Sequence, residues 1–341
     1  MKKIQSYQAA ETAGILLNAN ENNLPMDERI HAAIMEKLQG AALNRYPDND
    51  ETELLQAYGN VIGVSPECIL AGNGSDQMLG YLISTFLGKG KILYTLDPDF
   101  SMYDYYASSY EAEVKKFDVE EDGSFDIDAF IEQGRDASLV MFSNPNNPTG
   151  QCLSEETIEK ILQGFSVPVV VDEAYIEFSG QESSIRLMDR CSNLYVTRTL
   201  SKAYGLAGLR VGFAVSCAEN MKTLKQNFVP YTLNCLSMAA ASAVLQFHDA
   251  IALNIQKIIA ERERVCADLQ KMDWLAVLPS KTNFVYCRSR HKEPFLQELK
   301  KQNILIRDYA GTDTFRISIG TEQENNAVLD AAHKLQREME R

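Results

Sequence analysis

No stretch of the 341-residue chain approaches the run of ~18 apolar residues that spans a bilayer. The opening Met1-Lys2-Lys3-Ile4-Gln5-Ser6-Tyr7 carries two lysines but no apolar secretory core behind them. Together these absences set the cytoplasm as the expected location and exclude a membrane partner. Cysteine is sparse and scattered: the seven residues are odd in number and form no C-x-x-C pair, so neither a disulfide framework nor a zinc site is expected. The four histidines, His31, His248, His291 and His333, stand far apart, and no metal is expected on them either. Basic runs are missing too. With 33 lysines and arginines against 47 acids the net charge is −14, which repels nucleic acid and anionic membranes. An anionic ligand has to be captured locally, by individual arginines.

What is present is ordinary globular composition, 45% hydrophobic and 23% charged, on a chain longer than one compact core usually holds. Two lobes are expected. From about residue 68 to 215, short apolar runs alternate with helical stretches. Cys68–Ala71, Lys91–Thr95, Ser138–Ser143, Val167–Val171, Asn193–Thr197 and Leu209–Val215 read as strands. Val167-Pro168-Val169-Val170-Val171 is apolar throughout, as in a strand covered on both faces. Ser154 followed by Glu155-Glu156-Thr157-Ile158 reads as a serine N-cap with acids in the first turn. This rhythm predicts an α/β fold: a large domain, residues 31–234, with a mostly parallel central sheet flanked by helices and a ligand crevice at the strands' carboxyl ends. Residues from about 235 to 272 are almost continuously helix-forming, so one long connecting helix is expected there. Strand-like pieces at Thr282–Cys287, Asn303–Arg307 and Phe315–Ile319 predict a smaller α+β domain from residues 1–30 and 235–341.

Four segments carry candidate chemistry. Leu200-Ser201-Lys202-Ala203-Tyr204-Gly205, running on to Arg210 and Gly212, sets a lysine and an arginine among small residues after a strand. A Schiff-base lysine needs such room, and Arg210 can clamp a phosphate with two parallel bonds; alone, the pair would equally be a surface lysine and a structural arginine. Val171-Asp172-Glu173-Ala174-Tyr175 ends the most apolar strand and puts Asp172 where open α/β sheets bind ligands, although an aspartate there also suits a helix cap. Asn144-Pro145-Asn146-Asn147-Pro148-Thr149-Gly150 is a turn whose asparagines are oriented by prolines. Ala71-Gly72-Asn73-Gly74-Ser75-Asp76-Gln77 is a glycine loop opening a helix, suited to a phosphate; it fits neither nucleotide-loop signature.

Taken in chain order (glycine loop, asparagine turn, Asp172-x-x-Tyr175, then Ser201-Lys202 with Arg210), the segments resemble the fold-type-I pyridoxal-phosphate aminotransferases over roughly residues 15 to 320. Within them the chain looks most like the histidinol-phosphate aminotransferase family. Leu17-Asn18-Ala19-Asn20-Glu21-Asn22, Arg45-Tyr46-Pro47-Asp48, Arg198-Thr199-Leu200-Ser201-Lys202-Ala203 and Phe315-Arg316-Ile317-Ser318-Ile319-Gly320 carry that closer likeness. The resemblance implies pyridoxal 5'-phosphate as cofactor. Lys202 is then the Schiff-base lysine and proton shuttle, Asp172 the partner of the ring nitrogen, and Tyr175 and Asn147 the partners of the phenolic oxygen. Phe100 stacks on the ring. The backbone amides of Ser75 and Asp76, the hydroxyls of Thr199 and Ser201, and Arg210 hold the phosphate, with Tyr46 reaching it across a homodimer interface. Arg316 is the substrate-anion clamp, with Arg307, Asn20 and Tyr7 as further substrate contacts. A small-molecule amino donor and a 2-oxo acid exchange the amino group in turn, the pair for this family being L-histidinol phosphate and 2-oxoglutarate.

The sequence departs from the family pattern at Gln77, where an acid is common, at Phe100, where tyrosine is frequent, and in a short amino-terminal arm. These positions bear on substrate identity. An aromatic aminotransferase and a threonine-phosphate decarboxylase share every motif. A non-catalytic binding protein on the same fold would be expected to lose Lys202 or gain another module.

Overall fold

The computed structural model describes residues 14–340. In chain order its strands are β1 (Ile15–Leu17), β2 (Ile69–Asn73), β3 (Ile92–Asp97), β4 (Glu113–Asp118), β5 (Leu139–Ser143), β6 (Val169–Asp172), β7 (Leu194–Thr199), β8 (Val211–Val215), β9 (Ala276–Val277), β10 (Phe284–Arg288), β11 (Ile304–Asp308) and β12 (Thr314–Ser318). The helices are α1 (Glu28–Gln39), α2 (Thr52–Ile62), α3 (Ser75–Phe86), α4 (Met102–Ser109), α5 (Ile127–Gln133), α6 (Glu155–Gly164), α7 (Ala218–Asn227), α8 (Cys235–Val244), α9 (His248–Leu269), α10 (Lys292–Lys301) and α11 (Glu322–Met339).

Seven strands form one sheet in the order β2-β8-β7-β6-β5-β3-β4. β3, β4, β5, β6 and β7 pair in parallel, while β8 runs antiparallel to both its neighbours. The central strands are apolar on both faces, and β5, β6, β7 and β8 are buried along their whole length. Their polar residues come at the carboxyl ends: Ser143, Asp172 and Thr199 all close strands. The register pairs Ser143 with Asp172 and Asp172 with Thr197, so chemistry read from separate segments shares one edge of the sheet.

A second sheet follows the order β1-β11-β12-β10-β9, with β1 added in parallel against β11. The early chain therefore contributes a strand to the same sheet as the late chain.

The expected single helix over 235–272 is two helices. α8 ends at Val244 and α9 starts at His248, and they meet at an 82° bend. Composition alone could not place this break, because Leu245, Gln246 and Phe247 are not helix breakers. α8 packs on α1, whereas α9 packs on α11 and β10, so the chain turns where its apolar partners change. No single helix among the described residues is long and apolar enough to cross a membrane. The expected strand over Leu209–Val215 is shorter: Ala207–Leu209 is a 3-10 turn and Arg210 adopts a left-handed φ of 54° before β8 begins.

Candidate active site

A cavity of about 820 Å³ opens at the carboxyl ends of the central strands and is closed from the other side by residues of the second sheet. Its base holds Lys202, in the turn that follows β7. That turn is tied back by Leu200 N–H to Val211 O at 3.1 Å and Leu206 N–H to Leu200 O at 3.0 Å. Gly205 supplies the left-handed step, φ 68°, that reverses the chain just after the lysine. The Lys202 ammonium donates to Ala19 O at 2.8 Å. Burial, reinforced by the Arg316 charge, lowers its pKa to about 8, so roughly a tenth of the amine is free at pH 7, far more than for an ordinary lysine.

Asp172 is buried at the end of β6. Its two carboxylate oxygens accept from Tyr103 Oη and Thr197 Oγ1, each at 2.9 Å. Burial raises its pKa to about 6 while the two hydroxyls oppose the rise. Tyr103 is fully buried behind it, one helical turn beyond Phe100, and packs edge-on against that ring at 5.6 Å. Tyr175 accepts from Asn20 Nδ2 at 2.9 Å, and burial pushes its hydroxyl up to about 12.

Arg316 reaches the cavity from β12. Its guanidinium donates to Asn147 Oδ1 at 2.5 Å and Asn18 O at 3.0 Å and lies 5.0 Å from the Phe284 ring centroid. Its buried Nε has no partner among the described residues. A guanidinium held by neutral acceptors, with no carboxylate bonded to it, keeps its charge available to an anion. Asn147 is fixed in turn by its backbone N–H to Ser143 Oγ at 2.9 Å.

The glycine loop is shaped for close approach. A Cβ on Gly74, φ 86°, would stand 2.6 Å from Arg210 Nη2, and one on Gly212 would stand 2.1 Å from the Ser75 backbone nitrogen. Arg210 is anchored by Asp76 at 2.8 Å. Gln77, the departure noted in this loop, accepts from Asn73 N–H at 2.5 Å and holds the loop closed, as an acid at that position could. The N-terminus of α3, the hydroxyls of Thr199 and Ser201 and the Arg210 guanidinium thus form one donor cluster. A phosphate fits these donors, a carboxylate at the strand end fits a protonated ring nitrogen, and a partly free buried amine fits an aldehyde. Pyridoxal phosphate carries all three groups.

Of the residues named from sequence, Asn20, Ser75, Asp76, Phe100, Asn147, Asp172, Tyr175, Thr199, Ser201, Lys202, Arg210, Arg307 and Arg316 all line this one cavity. Tyr46 does not. It is 83% exposed and stacks on Tyr231 with ring centroids 4.9 Å apart. Tyr7 lies outside the described residues. Sequence reasoning missed Tyr103 and Thr197, which hold Asp172 without lining the cavity, and Asp99, Ser143 and Tyr309, which do line it. For Tyr103, the spacing Phe100-x-x-Tyr103 was the available signal. Asp99 left none, since its partner Ser143 is 44 residues away.

The family model of aminotransferase class I and II matches residues 12–331, and the chain belongs to that family of pyridoxal-phosphate-dependent aminotransferases, with the fold-type-I architecture. Among curated proteins it is 34% identical to the histidinol-phosphate aminotransferase of Chlorobaculum tepidum, over 98% of this chain and 99% of the relative. It is also 34% identical to the protein of that name from Clostridium novyi, over 97% and 94%. Among solved structures, the histidinol-phosphate aminotransferase of Sinorhizobium meliloti in complex with pyridoxal-5'-phosphate matches with a TM-score of 0.87 at 25% identity, over 96% and 91% of the two chains. The L-threonine-O-3-phosphate decarboxylase of Porphyromonas gingivalis shares the fold, with a TM-score of 0.81 at 24% identity and 95% and 99% coverage.

Proposed function

We propose that this aminotransferase converts L-histidinol phosphate and 2-oxoglutarate into imidazole acetol phosphate and L-glutamate, as a step in histidine biosynthesis. The observation that carries the reading is Arg316: a buried guanidinium held, among the described residues, by neutral acceptors, and reaching the cavity from the second sheet while Arg210 reaches it from the first. Two separate anion sites suit a phosphorylated cofactor together with an anionic substrate. One clamp serves both half-reactions, because histidinol phosphate offers a phosphate where glutamate offers a carboxylate. The curated relatives quoted above carry this activity in their names.

When bound, pyridoxal phosphate supplies an electrophilic carbon and a ring that accepts the electron pair left at the substrate α-carbon. The chain's residues do the rest. Lys202, lowered to about 8, would take the α-proton and return it to the cofactor's aldehyde carbon (C4′), on the other side of the amino nitrogen. Asp172 holds the charge of the ring nitrogen, and Tyr103 and Thr197 hold Asp172. Tyr175 and Asn147 would hold the phenolic oxygen and Phe100 would cover the ring. Ser75, Asp76, Thr199, Ser201 and Arg210 retain the phosphate, while Asn20 and Arg307 complete the substrate end with Arg316. The same proposal includes a division into a large lobe (31–234) and a small lobe (1–30 and 235–341). It also includes a cytoplasmic homodimer in which Tyr46 serves the partner's site. Leu43, Tyr46, Val229, Tyr231 and Leu236 are large apolar residues left exposed, as an interface requires.

Product analysis tests the substrate. Purified protein given L-histidinol phosphate and 2-oxoglutarate should form glutamate in equal amount to the donor consumed. Carbon dioxide released from threonine phosphate, or glutamate formed only with phenylalanine as donor, would replace the proposed substrate.

A further inference from the structure

The turn between β11 and β12, residues 309–313, meets the cavity through Tyr309, from the second sheet. Arg307 and Tyr309 line the cavity from its leading end, with the Arg307 guanidinium 5.9 Å from the Tyr309 ring centroid. Apolar packing reaches the Tyr309 ring, edge-on to Tyr286 with centroids 5.9 Å apart, but does not fix the backbone of this turn: Ala310, Gly311, Thr312 and Asp313 are all exposed, and Gly311 has a φ of 80°. A polar clamp does. Lys292, the first residue of α10, is only 4% exposed. Its ammonium donates to Tyr309 O at 3.1 Å and Thr312 O at 2.5 Å, and pairs with Asp308 Oδ1 at 2.8 Å. Three protons meet three acceptors, as a buried ammonium requires. Thr312 adds its own N–H at 3.2 Å and Oγ1 at 2.8 Å, both on Tyr309 O.

Nothing about the helix calls for this lysine. A cation in the first turn opposes the helix dipole, and burying it is unfavourable unless its bonds achieve something. What they achieve is a fixed position for the Tyr309 carbonyl, and with it the side chains of Tyr309 and of Arg307 two residues earlier.

We propose that Lys292 is a positioning residue for the amino donor: by clamping the β11–β12 turn it sets where Arg307 and Tyr309 stand in the cavity, without touching substrate itself. This rests on the reading above that this end of the cavity receives the substrate.

The test compares Lys292→Met, Thr312→Val and Asp308→Asn with wild type as holoenzymes. It measures KM for L-histidinol phosphate, kcat, and pyridoxal-phosphate affinity by absorption titration. Lys292→Met keeps most of the unbranched side chain and removes all three donors, so KM should rise about fivefold or more, with kcat and cofactor affinity within about twofold of wild type. Thr312→Val, which loosens the turn but leaves the three Lys292 bonds in place, should raise KM in the same direction by less; Asp308→Asn, which keeps Lys292 but removes the charge it pairs with, carries the test if Lys292→Met does not fold, with a rise in KM again expected. KM unchanged in the folded variants would overturn the proposal, as would a parallel loss of kcat and cofactor affinity, which marks general loosening. A wild type that ignores L-histidinol phosphate would instead sink the proposed substrate. The same three quantities would then be read with whichever amino donor bleaches the cofactor's visible band.

Discussion

Replacing Asp99 by asparagine should change how stability responds to pH, and the structure sets the size of that change. Asp99 faces the cavity and accepts from Ser143 Oγ, from Phe100 N–H at 2.7 Å and from Ser143 N–H at 3.1 Å, but no cation pairs with it among the described residues. Desolvation outweighs these bonds and the Asp172 charge adds to it, raising the carboxyl to about 8. In the unfolded chain an aspartate titrates near ~3.9. Between about pH 4 and pH 8 the folded protein therefore holds a proton that the unfolded chain has lost. For an acid with a raised folded pKa, the stabilising difference is fully present below the unfolded pKa and is lost as pH rises through the folded one. The slope is ~1.4 kcal/mol per pH unit. Discounted for water reaching Asp99 through the cavity, stability lost between pH 5 and 7 comes to about 2 kcal/mol. Asp99→Asn removes that slope and gives up one acceptor, a pH-independent cost of about 1–3 kcal/mol. The variant should thus be no more stable than wild type at pH 5 and should gain about 2 kcal/mol on it by pH 7. Urea unfolding of the cofactor-free protein at pH 5, 6 and 7, at one protein concentration, measures this. Asp172, raised to about 6, titrates in both proteins and largely cancels in the difference. A gap between the two that is constant with pH would refute the reasoning.

Three further outcomes follow from the site. Asp172→Asn should lower kcat on the order of 10²-fold or more in steady-state assays, with the cofactor still bound through its phosphate donors. Tyr103→Phe removes one of two hydroxyls on Asp172, worth about 1 kcal/mol, so the acid limb of the kcat/KM profile should move up by roughly 0.7 pH unit; an unmoved limb would mean that this bond does not tune the carboxylate. Arg316→Lys keeps the charge but loses the fork held by Asn147 and Asn18, and KM for the anionic substrate should rise about tenfold or more.

The parts of this molecule legible in sequence are those where local pattern and position coincide. β5 and β6 are short apolar runs ending in a polar residue, and at such ends the sheet places Ser143 and Asp172 side by side. The glycine loop and the lysine turn were legible because backbone geometry there demands particular residues, and Gly74 and Gly205 take positive φ. β4 was invisible: Glu113-Val114-Lys115-Lys116-Phe117-Asp118 is a charged edge strand, paired on one side only, so its composition carries no buried signature. The break between α8 and α9 was invisible because tertiary contacts impose it on residues that would continue a helix. Tyr103, Thr197 and Asp99 escaped for another reason. Their roles exist only across 69, 25 and 44 residues of chain, and side-chain pairing over such distances leaves no local trace. Arg316 was legible by alternation along β12, but its bond to Asn147 was not.

The central claim is that Lys202 holds pyridoxal phosphate in this cavity and works on the amino group of L-histidinol phosphate. Visible absorption of the purified protein tests it most directly, read before and after addition of L-histidinol phosphate and again after 2-oxoglutarate, with Lys202→Ala beside it. The account predicts a visible band in the wild type that the amino donor abolishes and the oxo acid restores, and neither response in the variant. Wild-type protein that takes up no pyridoxal phosphate, or a variant that cycles as the wild type does, would contradict it.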